Sequence, residues 1–171
     1  MDILLYSFFA FIYLLIQTTL FNQMVLFSIA LPQVHLLFLL MLPFRISFTW
    51  TLLIAFGYGL AYDFLSSNVA IGLGAFSSVL LVTLREGWLN LAIPKIYYDS
   101  REELVLPSLP INQLLLFIAP LLFIYLIVYY FMDGIGNFDL GMVLLKTLSG
   151  FIYTLFLSTI LIILFYSGKR K

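Results

Sequence analysis

The sequence predicts an all-α membrane protein built as a bundle of six transmembrane helices. Of its residues, 64% are hydrophobic and 9% are charged, and the mean hydropathy is +1.15. In soluble domains, by comparison, about a quarter of the residues are charged. Residues 3–44 contain no formally charged side chain. As helix this stretch would measure about 60 Å, roughly twice the hydrocarbon thickness of a bilayer, so the chain is expected to cross and return.

Six apolar stretches fit transmembrane helices: residues 3–21, 24–44, 48–65, 70–85, 111–132 and 143–166. The first is too long for the core of a cleaved signal peptide, so we expect a permanent span. The second contains Pro32, which breaks a hydrogen bond in mid-helix but fits a first turn. Two interpretations of this span follow: a helix over residues 24–44, or a helix that begins near Pro32 after a loop over residues 22–31.

The spans are expected to form one integral membrane domain over residues 1–171. The longest polar segment, residues 86–110, carries both signs of charge and three prolines. It is predicted to be a cytoplasmic loop. Its aromatic residues Trp88, Tyr97 and Tyr98 suit the headgroup region, so the loop is either a segment lying on the membrane surface or a docking site for a partner.

Loop charges predict the orientation, because Lys and Arg accumulate in short cytoplasmic loops. With both termini in the cytoplasm, seven basic residues lie inside and only Lys146 lies outside. The seven are Arg45, Arg85, Lys95, Arg101, Lys169, Arg170 and Lys171. We therefore expect a multi-pass protein of a bacterial cytoplasmic (inner) membrane, in contact with the lipid bilayer.

Small residues spaced four apart predict a tight hairpin of the third and fourth spans. Gly57 and Ala61 share one helix face, as do Ala70 and Gly74. Such faces let two backbones approach closely in a membrane. The candidates for helix packing or for a partner interface in this region are Gly57, Gly59, Ala61, Asp63, Gly72 and Gly74.

Asp63 is the acidic residue that lies within a predicted span, near the outer end of the third. A carboxylate in hydrocarbon costs about 2.5–3.5 kcal/mol on insertion scales, so it should face protein or water. We expect it to cap the fourth helix or to accept hydrogen bonds from loop amides around Ser66, Ser67 and Asn68. A ligand or proton site is the alternative.

Three polar residues in the outer half of the bundle are candidates for a polar pocket: Gln17, Gln33 and His35. Scattered polar side chains in membrane helices also tie helices together by hydrogen bonds, each contributing about 0.6 kcal/mol. Both interpretations remain open at this stage.

Catalytic machinery is not expected. The chain has no cysteine and a single histidine, which excludes thiolate chemistry and offers no metal-ligand cluster. Tyr62 and Asp63 followed by Gly72-x-Gly74 invite comparison with intramembrane aspartyl proteases, but the position of the second catalytic aspartate is Ala75. We expect no enzyme activity, cofactor or metal, and the balanced charge gives no sign of nucleic-acid binding.

A series of motifs, taken in order, resembles the MreD family of rod-shape-determining membrane proteins, in particular those of the Bacteroidetes type. The motifs are Gln17-Thr18-Thr19-Leu20-Phe21, Pro32-Gln33-Val34, Leu42-Pro43-Phe44-Arg45, Gly57-x-Gly59-Leu60-x-x-Asp63 and Gly72-x-Gly74-Ala75. The resemblance covers nearly the whole chain and is strongest over residues 17–75. His35 and residues 88–110 depart from the family pattern.

The resemblance implies a non-enzymatic subunit of the cell-shape (elongasome) machinery that organises peptidoglycan synthesis. Its direct partner would be an MreC-like scaffold protein, with MreB filaments, RodA and a class B penicillin-binding protein as indirect partners. The alternative is a substrate-binding S component of an energy-coupling-factor vitamin transporter, whose fold MreD is thought to share. S components present Ala-x-x-x-Ala faces on the first helix, whereas the first span here has only Ala10.

Overall fold

A computed structural model describes residues 2–66, 70–97, 104, 106, 109–135 and 138–166. Several residues used in the predictions lie outside this part of the chain. They are Ser67 and Asn68 of the outer turn, Tyr98 and Arg101 of the 86–110 loop, and the basic tail Lys169, Arg170 and Lys171.

The described chain is helical and contains no β-strand. One isolated β-bridge joins Leu26 and Ala30. The six α-helices are α1 (Asp2–Thr19), α2 (Leu36–Met41), α3 (Phe48–Leu65), α4 (Leu73–Ala92), α5 (Ile111–Asp133) and α6 (Leu140–Tyr166). Single turns of 3-10 helix lie at Phe21–Gln23 and Lys95–Tyr97.

Three helices in the described residues are long and apolar enough to cross a membrane. They are Phe48–Leu65, Ile111–Asp133 and Leu140–Leu164. The predicted third span, residues 48–65, coincides with α3, and the fifth and sixth predicted spans agree with α5 and α6 within three residues. The all-helical class and a membrane-protein character thus follow from both the sequence and the structure.

The predicted helix over residues 24–44 is wrong. The helix in this stretch, α2, has six residues and begins after Pro32, as in the second interpretation. Its length is about 9 Å, far short of the hydrocarbon thickness. Pro32 and Pro43 bracket it, because a proline disfavours helix at the residue before it and interrupts the helical hydrogen bonds. Residues 24–35 form a loop in which Phe27 and Ser28 have positive φ angles of 53° and 58°.

The fourth helix extends beyond its predicted end at residue 85. It continues to Ala92, and Ile93 follows in an extended conformation directly before Pro94. The first seven residues of the predicted 86–110 loop are therefore helical. Leu104, Leu106 and Leu109, from the same segment, are buried in the core. This part of the segment packs into the bundle and does not lie on its surface.

The helices pack largely in chain order. α4 lies between α3 and α5, and α5 lies between α4 and α6, while α1 contacts α2 and α3. Residues 32–45 run back alongside α1, but the helix in this return, α2, is too short to cross a membrane. At one end of this hairpin the Arg45 guanidinium donates a hydrogen bond to the Tyr6 hydroxyl (3.2 Å), and at the other the Gln17 amide donates to the carbonyl of Pro32 (2.7 Å).

Candidate functional site

Asp63 holds the junction between α3 and α4. Its carboxylate is 2% exposed and accepts hydrogen bonds from the backbone N–H groups of Gly72 (2.8 Å), Gly74 (2.9 Å) and Ala75 (3.2 Å). These are first-turn donors of α4, which have no partner within the helix, and a negative charge there is also favoured by the helix dipole. The predicted cap of the fourth helix is confirmed.

Gly59 and Gly74 are the glycines at which α3 and α4 approach most closely. A Cβ at Gly59 would lie 2.5 Å from the Gly74 carbonyl oxygen and 2.6 Å from the Cα of Ala75. A Cβ at Gly74 would meet the Asp63 carboxylate and would lie 3.2 Å from the Gly59 carbonyl oxygen. The predicted tight hairpin exists, and these two residues form its contact.

The predicted face of Gly57 and Ala61 is not the contact face. A Cβ at Gly57 would have nothing within 4 Å, and Gly57 is exposed, while Ala61 is half-buried. Residues 57 and 59 are separated by about 200° around a helix, so they lie on nearly opposite faces. Gly72 also has open space, but its φ of +98° is a conformation that favours glycine. Its role is conformational.

Gln17 joins the end of α1 to the segment before α2. Its amide nitrogen donates to the Pro32 carbonyl (2.7 Å) and to the Asn22 side chain (3.0 Å), and its amide oxygen accepts from the backbone N–H of His35 (3.1 Å). The side chain is completely buried. Gln17 is therefore used as a tie between two backbone segments.

The His35 ring is fixed in place by its neighbours. The ring stacks on Tyr62, with centroids 4.1 Å apart and planes 17° apart, and the His35 carbonyl accepts a hydrogen bond from the Tyr58 hydroxyl. The side chain is buried, and neither imidazole nitrogen has a partner among the described residues. His35 lines a cavity of about 390 Å³ between α1 and the segment containing α2.

The three residues of the predicted polar pocket do not surround one space. Only His35 lines the cavity. The Gln33 backbone N–H is bound to the hydroxyl of Thr154 on α6, and its buried side-chain amide lies beside the Tyr130 hydroxyl. These polar residues thus lie at separate points of the bundle, and the cavity itself is mostly apolar.

Arg85, predicted at the cytoplasmic end of the fourth span, lies inside the bundle. It is completely buried in α4. Its guanidinium donates to the Leu42 carbonyl and lies 4.0 Å from the ring centroid of Phe44, while Nε and Nη1 have no partner in the described part of the chain. Pro94 is the sequence feature that indicates where the fourth helix ends. A helix that continues to Ala92 places Arg85 well inside it.

The described residues offer no group of three or more His, Cys, Asp or Glu side chains placed to hold a metal ion. The Asp63 carboxylate is occupied by backbone donors, and both His35 ring nitrogens are buried without a hydrogen-bond partner among the described residues. This arrangement can pack helices and bind an apolar molecule. Comparison of the chain with protein-family models, with curated proteins and with solved structures finds no match in any of the three.

Proposed function

We propose that this chain is a non-enzymatic, multi-pass membrane subunit of the MreD type, which binds an MreC-like scaffold and thereby contributes to organising peptidoglycan synthesis. The proposal rests on the ordered motifs between Gln17 and Ala75. MreB filaments, RodA and a class B penicillin-binding protein would be its indirect partners, in a bacterial inner membrane.

The observation that carries the proposal is that the motif residues have specific structural roles. Gln17 and Pro32 join α1 to the α2 segment, Leu42 and Phe44 receive Arg85, and Asp63 caps α4 beside Gly74. Motif residues that stabilise helix junctions support the family assignment, because the members of a family share a fold. The engaged Asp63 carboxylate also supports a role without a chemical step.

The same proposal includes six spans with both termini in the cytoplasm. The orientation rests on loop charge, although the burial of Arg85 leaves six basic residues inside against Lys146 outside. Lys146 lies 3.7 Å from Asp133 at the α5–α6 junction. Reporter fusions after Lys171 and within residues 134–138 should report opposite sides of the membrane, and a periplasmic C-terminus would contradict the topology.

The proposed partner surface is the outer face of α3. Trp50, Leu53, Gly57 and Phe64 fall on one side of this helix at 100° per residue, and all four are exposed. Gly57 forms a notch in this apolar face, and a small residue lets a second helix approach closely in a membrane. Gly59, Asp63 and Gly74 are buried between α3 and α4 and are not available to a partner.

Co-purification tests the proposed function directly. The tagged chain, expressed with the MreC, MreB and RodA homologues of its own genome, should recover the MreC homologue in stoichiometric amount. Absence of recovery from membranes in which both proteins accumulate would overturn the proposed partnership.

A matched pair of variants tests the proposed surface. Gly57→Leu fills the notch on α3, and Gly87→Leu adds the same side chain at an exposed position of α4; a Cβ has open space at both sites. We expect both variants to fold, and only Gly57→Leu to lose the MreC homologue. Equal recovery by the two variants would assign the Gly57 face to lipid.

The S component of an energy-coupling-factor transporter remains the second candidate. Buried polar groups favour it: the Gln33 amide beside the Tyr130 hydroxyl, and the His35 imidazole, which has no hydrogen-bond partner among the described residues. A water-soluble vitamin needs such groups. Binding of a vitamin by the purified chain, together with a gene neighbourhood of transporter ATPases in place of MreB and MreC homologues, would favour this function.

A further inference from the structure

A tight turn between α1 and α2 is closed by its own backbone. It comprises residues 24–30, which lie within the uncharged stretch over residues 3–44, and we call it the apolar turn. Leu26 and Ala30 exchange two hydrogen bonds, each N–H donating to the carbonyl of the other residue (both 3.0 Å). The Ile29 N–H also donates to the Leu26 carbonyl (3.1 Å). The turn therefore keeps its shape without help from neighbouring helices.

The apolar turn exposes its side chains. Phe27, at the tip, is 91% exposed, which is the highest value of any large apolar residue in the described chain. Met24, Val25 and Leu26 are 40–47% exposed. Four successive exposed apolar side chains are more than the single exposed residues that a folded surface normally carries, and a contiguous apolar patch is typical of an interaction site.

The backbone at the tip is strained. Phe27 and Ser28 have φ angles of 53° and 58°, and turns with two successive positive φ angles normally use Asn and Gly. A bulky residue rarely adopts this conformation. Strained backbone is found mostly where it serves an interaction. Glycine would fit position 27 without strain, but it would remove the aromatic ring, so the ring itself is the feature that needs an external contact.

The apolar turn lies beside the membrane-spanning length of α6. A Cβ at Gly150 would lie 3.5 Å from the Leu31 carbonyl oxygen, and Gly150 is about 15 Å along the helix from Leu140. Four residues from Leu31 to Phe27 reach at most about 14 Å. Phe27 therefore cannot extend beyond the first turn of α6, whichever way the apolar turn points. Because residues 140–164 are long and apolar enough to span a membrane, the surroundings at this depth are lipid.

The free backbone groups of the tip indicate the depth more closely. The N–H groups of Phe27 and Ser28 bond to no backbone carbonyl among the described residues. Hydrocarbon cannot satisfy such groups. The headgroup region can, because it contains water and the ester carbonyls of the lipid. Aromatic rings are also enriched at this level of membrane proteins.

We propose that the apolar turn is an interfacial anchor, in which the Phe27 ring enters the boundary between headgroups and acyl chains of the adjacent phospholipid leaflet. The N–H groups of Phe27 and Ser28 then face the ester region. Because the apolar turn has no charge, the contact depends on buried apolar area and not on anionic headgroups. The anchor is separate from the Gly57 face, needs no partner protein and holds for either orientation of the chain.

The first experiment measures access from water. The chain has no cysteine, so Ser28→Cys introduces a single thiol and keeps the Phe27 ring. Ile135→Cys is the matched control, since Ile135 is 65% exposed in the turn that follows Asp133. In phosphatidylcholine nanodiscs, a water-soluble, membrane-impermeant maleimide should label Ser28→Cys at least tenfold more slowly than Ile135→Cys. In SDS the two rates should agree. Equal rates in nanodiscs would overturn the anchor.

A second substitution in the Ser28→Cys chain tests the ring. Phe27→Asp places a carboxylate at the tip, which disfavours contact with acyl chains, and should raise the labelling rate in nanodiscs to that of Ile135→Cys. Phe27→Leu keeps an apolar side chain and should leave the rate low. An equally low rate with Phe27→Asp would show that the protein and not the lipid shields this position, and would contradict the anchor.

The third experiment detects lipid contact directly. Trp50 and Trp88 are replaced by Phe, and Phe27→Trp then places the only indole at the tip. Phosphatidylcholine brominated near the glycerol should quench its fluorescence more than lipid brominated near the chain ends. Ile152→Trp, exposed on α6 twelve residues after Leu140, is the hydrocarbon reference and should show the reverse order.

Two outcomes of the fluorescence experiment decide between lipid and other contacts. Exchanging half of the phosphatidylcholine for phosphatidylglycerol should leave the quenching of Phe27→Trp unchanged, because the apolar turn carries no charge. Quenching by aqueous acrylamide, with none by either brominated lipid, would overturn the anchor. Protection from acrylamide only after addition of the MreC homologue would assign the apolar turn to a protein partner instead.

Discussion

The two hairpins of this protein, α3–α4 and the one formed by α1 and the α2 segment, are built in opposite ways. In α3–α4, Gly59 and Gly74 bring two backbones together and Asp63 occupies the free donors of α4. In the first hairpin, Tyr6 and Gln17 link the two arms near their ends, and a cavity lies between the arms.

The difference separates the parts that define the fold from the part suited to binding. Lipid offers no hydrophobic driving force for helix association, so close packing and hydrogen bonds must stabilise a membrane bundle. The α3–α4 hairpin has both, and substitutions there should reduce stability. In the first hairpin, hydrogen bonds link the two arms near their ends. Substitutions within its cavity should therefore affect ligand binding more than stability.

The largest loss of stability is expected for Gly59→Ala. Its Cβ would lie 2.5–2.7 Å from backbone atoms of Gly74 and Ala75, which cannot rotate away as a side chain can. The helices must separate, and the cost should reach the upper end of the overpacking range, about 3 kcal/mol. The check is the thermal unfolding midpoint in detergent. An unchanged midpoint would show that the two helices are farther apart than described.

A somewhat smaller loss is expected for Asp63→Ala. Three backbone donors of α4 would lose their acceptor, and loss of a helix cap costs up to about 2 kcal/mol. Asp63→Asn retains one acceptor oxygen and should lose roughly half as much. Denaturant unfolding of the three proteins should rank them in that order. Equal stability of the alanine and asparagine variants would mean that the carboxylate contributes through its charge alone.

A loss of about 1 kcal/mol is expected for Gln17→Leu, because hydrogen bonds between segments in a membrane contribute about 0.6 kcal/mol each. The variant removes the partners of the Pro32 carbonyl and of the His35 N–H. Thr18→Val is the control, since the Thr18 hydroxyl bonds within α1, to the Leu14 and Leu15 carbonyls. Faster amide exchange at His35 should accompany the first change and not the second.

The smallest effect, with the opposite sign, is expected for Gly57→Ala. A Cβ there meets nothing within 4 Å, and alanine is favoured over glycine inside a helix by about 0.5–1 kcal/mol. The unfolding midpoint should rise slightly. A fall would place Gly57 in a packed contact.

The sequence contained more information on the α3–α4 contact than spacing alone revealed. Gly57 and Ala61 satisfied the small-residue pattern, but that pattern does not specify which face meets the neighbouring helix. Asp63 does, because its carboxylate must reach the first turn of α4. The residue one turn before it on the same face is Gly59, and that residue forms the contact. A functional group at a helix end thus predicts the packing face.

Other features depend on tertiary structure. Hydropathy correctly identified residues 24–44 as apolar. It could not distinguish a membrane-spanning helix from a short helix that is buried by its neighbours. Leu36, Leu39 and Leu40 of this short helix are completely buried. The burial of Arg85 depends on the Leu42 carbonyl, 43 positions away in the chain. The cavity depends on the distance between α1 and α2, and no pattern in the sequence predicts that distance.

The hydrogen bond between Gln33 and Thr154 has a consequence for biosynthesis. The two residues are 121 positions apart, whereas Asp63 and the amides it binds are 9 to 12 apart. During synthesis the α3–α4 junction can therefore form early, while the loop before α2 must wait for α6 to leave the ribosome. Leu161 closes the cavity wall at the same late stage. A nascent chain released before α6 would expose the open cavity to the insertion machinery and to quality-control proteases.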